Sequence, residues 1–359
     1  MRKRGTIAAL MMIATASWLF GREDYASRTI QTGKGPSAVL LADLNGDRKD
    51  EIIVTAMTED TLWIISSLPP VVLSTLPGPT SPIVRNLTGD GSPKIIISTN
   101  FDNHLQIFGE NRRGTSILPQ RHLSSQHGPV AIDTTDLDHN GFLDLISANL
   151  LAGNIRALLQ DGGQKFRPSH VIAQVDSPTC VAARDFNKDG LVDLAVTSSS
   201  PGDLLLFFRK PDGNFQSPRV CHVGDRPAWL DVADFNSDGI PDIAVALNSF
   251  NGAAVVMSRA GPTGSFEDAR PLLLPAPSNS VAAGDLNGDG LPDLVFSQPT
   301  IGKIAILYGE AKGSFSRPVL KEVGKNPTSV AIGDVNGDGK ADIACANLSD
   351  NTVTLFVRQ

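Results

Sequence analysis

Short apolar runs of four to seven residues recur along the whole chain, separated by clusters of Gly, Asp, Asn, Pro and Ser. Ser280–Ala283, Asp293–Phe296 and Ile304–Leu307 are one such series, and a fourth run follows a Gly-containing turn and Phe315. Runs of that length, punctuated by turns, predict short β-strands. The series returns about every 49 residues, and four strands in that length make one blade of a β-propeller. The frame of the repeat closes the ring. Strands are predicted near Ser27–Thr32 and Ala38–Ala42 ahead of the first unit's loop, and near Ile343–Ala346 and Val353–Val357 after the last. The last unit therefore lacks its outer strand while the chain begins with a spare one. Pairing the two completes seven blades and removes an open seam, a hazard in any β array. The predicted fold is all-β, a seven-bladed propeller of four-stranded antiparallel blades whose N-terminal strand joins the last blade.

Within each unit the loop between the first two strands carries one pattern. Asp285, Asn287, Asp289, Gly290 and Asp293 occupy positions 1, 3, 5, 6 and 9. The same positions hold Asp334, Asn336, Asp338, Gly339 and Asp342, then Asp185, Asn187, Asp189, Gly190 and Asp193, and Asp234, Asn236, Asp238, Gly239 and Asp242. Asp136, Asp138, Asn140, Gly141 and Asp144 form a close variant. Asp43, Asn45, Asp47, Arg48 and Glu51 form a looser one, with Arg in place of Gly. The loop at 86–94 is degenerate: Asn86 and Thr88 replace two ligand positions, Asp90 remains, and Lys94 stands where the closing acid should be. Loop starts at 43, 86, 136, 185, 234, 285 and 334 leave no gap above 51 residues, so no blade carries an inserted lid or second domain.

These units resemble the bacterial FG-GAP/VCBS-type repeat, a relative of the calcium-binding blades of integrin α-subunit propellers. The likeness spans residues 25–359 and is carried by six of the seven loops. It implies a secreted or surface protein that adheres, binds glycans or acts as a scaffold.

The residue types point to the same chemistry. Calcium takes six to eight oxygens from carboxylates, amide carbonyls and backbone carbonyls. Side chains at positions 1, 3 and 5 converge only if the backbone curls tightly, and Gly at position 6 permits that curl by accepting φ > 0. The carbonyl at position 7 and the acid at position 9 then close the shell. An Asn-Gly or Asp-Gly turn alone would not need acids at positions 1 and 9. Six calcium ions are expected per chain, or five if Arg48 distorts its loop, with the 86–94 loop empty. The ions are expected to be structural rather than catalytic, because the protein supplies most of the shell.

Charge and composition fit that reading. The chain has 31 Lys and Arg against 38 Asp and Glu, a net charge of −7, which argues against nucleic acid as a partner. Nineteen of the acids sit at loop ligand positions, where they repel one another unless a cation is present. Cys180, Cys221 and Cys345 lie in apolar runs and are expected as buried free thiols. His139, at loop position 4, is expected to be solvated.

Arg2, Lys3 and Arg4 precede an apolar run from Thr6 to Phe20, which fits a secretory signal over residues 1–21 with cleavage after about residues 16–21. An uncleaved N-terminal anchor is the alternative. Residues 22–359 then form the propeller, with no membrane span, secreted or held in the periplasm or at the cell surface, and a monomer is expected. No H-E-x-x-H, G-x-S-x-G, P-loop or C-x-x-C pattern occurs, and no catalytic residue is assigned. The expected function is a binding, adhesion or scaffold module for a protein or surface partner. A glycan-binding lectin is the alternative, and a calcium-dependent polysaccharide hydrolase or lyase a third. One blade breaks the pattern of small residues on the inner strands: Trp229 and Asp231 share a strand face, with Arg226 in the preceding turn. These three, and the face opposite the Asp loops around Arg226, Phe101 and Phe250, form the expected ligand surface.

Overall fold

A computed structural model describes residues 25–359 except 67–68, 88, 90, 111–116, 126, 164, 250–251 and 260–264. The predicted signal segment, Thr88, Asp90 and Phe250 lie outside the described residues. Seven four-stranded antiparallel sheets follow one another as blades. Blade 1 runs from Pro36 to Ser74, blade 2 from Pro79 to Ser124, blade 3 from Pro129 to Gln174 and blade 4 from Pro178 to His222. Blade 5 runs from Pro227 to Leu273 and blade 6 from Val281 to Glu322. Blade 7 combines Pro327–Arg358 with the strand Tyr25–Gln31, which pairs from Tyr25↔Arg358 to Gln31↔Thr352. The N-terminal strand therefore closes the ring as the repeat frame predicts.

Burial explains which residues build each strand. The second strand of every blade, such as Asp293–Gln298 or Asp342–Asn347, is buried at all six positions, because neighbouring blades cover both of its faces. Continuous Ile, Val, Leu and Ala runs suit that place better than strict alternation. The outermost strands are the reverse: Val71–Ser74, Arg219–His222, Arg270–Leu273 and Val319–Glu322 show the same mostly exposed pattern. A second feature was not legible in the repeat. A small hairpin after the third strand, Ser258–Arg259 with Ser265–Phe266 and Gly309–Glu310 with Ser314–Phe315, carries a Phe back onto the preceding blade's loop. Phe266 meets Phe186 at 6.2 Å between centroids, and Phe315 meets Phe235 edge-on at 5.4 Å.

Blades are also linked by polar bonds around the axis. Ser37 and Thr179 donate to the carbonyls of Pro79 and Pro227, each the first residue of the next inner strand. Thr328 makes the equivalent bond to Pro36, 3.2 Å across the seam. Cys180 and Cys345 are buried free thiols as expected, and burial pushes Cys180 up to about 12. Cys221 is only half-buried, because it lies on an outermost strand. No helix among the described residues is long and apolar enough to cross a membrane.

Candidate functional site

Each Asp loop links the first strand of its blade to the second, and a common hydrogen-bond pattern shapes it. Asp285 Oδ1 accepts the N–H of Gly288 at 2.7 Å, and its Oδ2 accepts that of Gly290 at 2.8 Å. Asn287 Oδ1 then accepts from Asp289 N, and Asp289 Oδ1 from Leu291 N. The loops at 185, 234 and 334 repeat the bonds from position 1 to position 6, from 3 to 5 and from 5 to 7. These side chains already hold the tight curl that converging ligands need.

Two positions in the loop take left-handed backbone, where the sequence pattern pointed to one. Position 6 is left-handed in every loop, the glycines there running from Gly239 at φ 78° to Gly141 at 87°. Arg48 adopts φ 65° there, and its N–H donates to Asp43 Oδ2 at 2.8 Å as the glycines do. Loop 1 is therefore not distorted by Arg48. Position 4 is left-handed as well, and His139, Lys188 and Ser237 accept it at φ 57°, 59° and 60°. His139 is an exposed side chain on that turn.

The acid at position 9 carries a duty that the sequence pattern did not show. As the first residue of the buried second strand, it is itself buried: Glu51 is 5% exposed and Asp144, Asp193, Asp242, Asp293 and Asp342 are 0%. Both oxygens of the five aspartates accept backbone N–H groups. In Asp293, Oδ2 takes the N–H of Leu286 in its own loop and Oδ1 that of Gly309 beyond the third strand. Asp144, Asp193, Asp242 and Asp342 do the same with Leu137 and Gln160, Phe186 and Arg209, Phe235 and Ser258, and Val335 and Arg358. The closing acid is thus a weld between the loop and the far end of the third strand. Burial pushes Asp193 and Asp242 up to about 7 and Asp293 to about 6. The backbone N–H donors oppose the rise, and the carboxylates at positions 1 and 5 add to it.

The donor set fits a cation most clearly in the loop at 136–144. There Asp136, Asp138 and Asp144 bring carboxylate oxygens within 4.8 Å of one another. Asp138 Oδ1 is buried without a hydrogen-bond partner, while its Oδ2 stands 3.6 Å from Arg167 Nη1, so the carboxylate is only partly compensated. The other complete loops place Asn at position 3, whose Nδ2 donates to the position-5 carboxylate in the loops at 43, 185, 285 and 334. In the degenerate loop, Lys94 is 5% exposed and its Nζ donates to Ser92, to the carbonyl at 3.1 Å and to Oγ at 2.8 Å.

The seven inner strands enclose a central channel of about 520 Å³, and both Trp229 and Asp231 line it. Arg226 does not belong to this lining; it takes φ 56° in the turn where other blades place Gly35, Gly78 or Gly128. Trp229 packs against the cores on both sides of its blade. Asp231 accepts the N–H of Val232 and, at 2.9 Å, that of Ala283 in the next blade. Asp133 does the same with Thr134 and Ala183. The two inner-strand acids therefore tie blade 3 to blade 4 and blade 5 to blade 6. Phe101, 67% exposed, does lie on the face opposite the loops, over Gly78.

A family model described as FG-GAP-like repeat matches residues 136–196, 185–245, 234–296 and 285–345. No curated protein gives a significant match. Among solved structures, the chain is similar to BBS1N in complex with ARL6DN, with 14% identity, a TM-score of 0.67, and coverage of 93% of this chain and 97% of that one. Hydrazine synthase of Kuenenia stuttgartiensis gives 14% identity and a TM-score of 0.65 over 92% of this chain and 97% of that one. A functionally unknown protein from Desulfotomaculum acetoxidans gives 11% and 0.60 over 82% and 88%. At such identities these likenesses establish the propeller fold alone.

Proposed function

The chain belongs to the FG-GAP-like repeat family, and from that premise we propose that it is an exported, calcium-stabilised propeller that binds a protein partner as a scaffold or adhesion module. The observation that carries the calcium reading is the loop at 136–144, where three carboxylates converge and one buried oxygen lacks a donor. Five further loops share its backbone curl and its buried closing acid. In each, the residues at positions 1, 3, 5 and 9 would hold the ion: Asp136, Asp138, Asn140 and Asp144 in that loop, and their counterparts elsewhere. Calcium there supplies positive charge that relieves carboxylate repulsion, and it binds the folded loop in preference to the unfolded one. The chain's own part is to pre-shape the curl and to weld it to the third strand through position 9.

Support for a protein partner is coarser. The propeller offers two broad faces formed by its seven four-stranded blades. A propeller of the same architecture, BBS1N, was solved bound to ARL6DN. The test has two arms. Metal analysis of dialysed protein should return six calcium ions per chain, and capture from cell-envelope fractions should recover a partner that chelator releases. Metal-free protein with an unmoved melting curve would end the calcium reading.

A further inference from the structure

Three adjacent inner strands bring an Arg–Asp–Arg row to the loop-side mouth of the central channel. Arg85 and Arg184 are the last residues of the inner strands of blades 2 and 4, each one residue before its loop. The other blades carry Ala42, Thr135, Ala233, Gly284 and Gly333 at that position, so the repeat itself does not call for a guanidinium there. Between the two lies Asp133 of blade 3, its side chain only 8% exposed.

Asp133 is already well satisfied. Its Oδ1 accepts from Thr134 N at 2.8 Å, and its Oδ2 from Ala183 N at 2.9 Å and Arg184 Nη1 at 2.8 Å. Arg85 is spare in this arrangement. Its Nη2 stands 3.9 Å from Asp133 Oδ1, beyond hydrogen-bond reach, while Nε and Nη1 donate to Thr134 Oγ1 and the Val84 carbonyl. Nε and Nη2 of Arg184 have no partner among the described residues. Both guanidinium side chains are about two-fifths exposed, at 40% and 42%, and both line the channel. The other acid in the channel lining, Asp231, accepts two backbone N–H groups and also interacts electrostatically with Arg184. Two guanidiniums, set among the carboxylates of Asp133 and Asp231, thus present open donor edges to a concave site whose lining includes Ile83, Ile132, Val181 and Val232.

We propose that this mouth binds the carboxylate of an acidic, apolar-flanked peptide segment of a protein partner, with the Arg85 and Arg184 forks on the carboxylate and the aliphatic wall on the neighbouring side chain. Guanidinium forks match carboxylates in shape and charge. A polyanion such as nucleic acid would meet the surrounding acid loops, and the aliphatic walls offer a sugar few partners for its hydroxyls. The proposal rests on the protein-partner reading and names the chemistry that partner must present.

The test is fluorescence anisotropy on the full chain in calcium buffer, with a short labelled peptide ending in Leu-Glu and a free C-terminal carboxylate. Saturable, salt-sensitive binding is expected, weakened roughly tenfold or more by Arg85→Ala and lost in Arg85→Ala/Arg184→Ala. A peptide with Gln for Glu and an amidated end should not bind. Because Arg184→Ala strips Asp133 of its guanidinium and could unfold the ring, Arg85→Ala alone decides if the double variant fails to fold. Absence of binding by the unaltered protein, or undiminished binding by folded Arg85→Ala, overturns the proposal. Competition by oligogalacturonate as strong as by unlabelled peptide overturns the peptide assignment. Calcium-dependent melting of the same variants separates this failure from failure of the calcium reading, since neither arginine belongs to a loop.

Discussion

The loops at 285–293 and 86–94 occupy the same place in blades 6 and 2 of one ring, yet they are wired in opposite ways. In the first, Asp293 is buried and its two oxygens join Leu286 of the loop to Gly309 beyond the third strand. In the second, Lys94 is also buried, but among the described residues its ammonium bonds within two residues, to Ser92. The difference teaches that position 9 has two separable duties. One is to reach across the blade and fix the loop; the other is to add negative charge near the position-1 and position-5 acids. Lys94 performs neither, and blade 2 still keeps its inner strand paired with its second strand from Pro79↔Thr99 to Arg85↔Lys94. A blade can therefore dispense with a loop site when its second strand is well buried, as Lys94–Thr99 is at every position.

The largest effect should come from removing the proposed metal. Chelation should lower the melting temperature by roughly 5–15 °C, because several folded-state sites lose their ligand together. Hydrogen exchange should show the change in the six acid-closed loops and leave residues 86–94 alike in both states. Equal loosening at 86–94 would break the comparison.

Next in size is the weld itself. Asp193→Asn keeps the side chain's volume but turns one acceptor into a donor facing Phe186 N or Arg209 N. Urea unfolding in chelator should show a loss of about 2–3 kcal/mol, the cost of leaving a buried backbone donor unpaired. An effect seen only with calcium present would mean that position 9 serves the metal alone.

pH should separate the two duties by sign. Asp193 and Asp242 have folded values near 7 against an ordinary 3.8, chiefly through burial. Each holds its proton more tightly when folded, so in chelator this contribution is fully present below about 3.8 and is lost as pH rises through 7. Metal-free protein should thus melt at higher temperature near pH 5 than near pH 8. Calcium-loaded protein should show the opposite slope, since protons compete with the cation for the same carboxylates. Parallel slopes in a pair of melting series would refute the proposed ligand set.

The smallest effect belongs to the degenerate loop. Lys94→Met removes an ammonium bonded, among the described residues, to Ser92 and should change stability by no more than about 1 kcal/mol, in either direction. It should leave metal content at six per chain. A seventh ion in the unaltered protein would contradict the account of Lys94.

Much of this molecule was written into its repeat. The period near 49 residues and the strand that precedes Pro36 point to a closed seven-bladed ring, and the pairing of Tyr25–Gln31 with Thr352–Arg358 is its closure. The positions of the six acid loops follow from the same spacing. What the pattern could not carry is contact between residues far apart in the chain. Position 9 reads in sequence as a metal ligand; only the third strand folding back beside it shows that Gly309 or Arg209 N–H claims its second oxygen. Trp229 and Asp231 read as a break in the inner ring, whereas Asp231 proves to be a tie to Ala283 and Trp229 packs into its neighbours' cores. Arg85 and Arg184 lie 99 residues apart and are not part of any motif. Tertiary structure alone sets them on either side of Asp133, because closing the ring places the ends of alternate inner strands around one mouth.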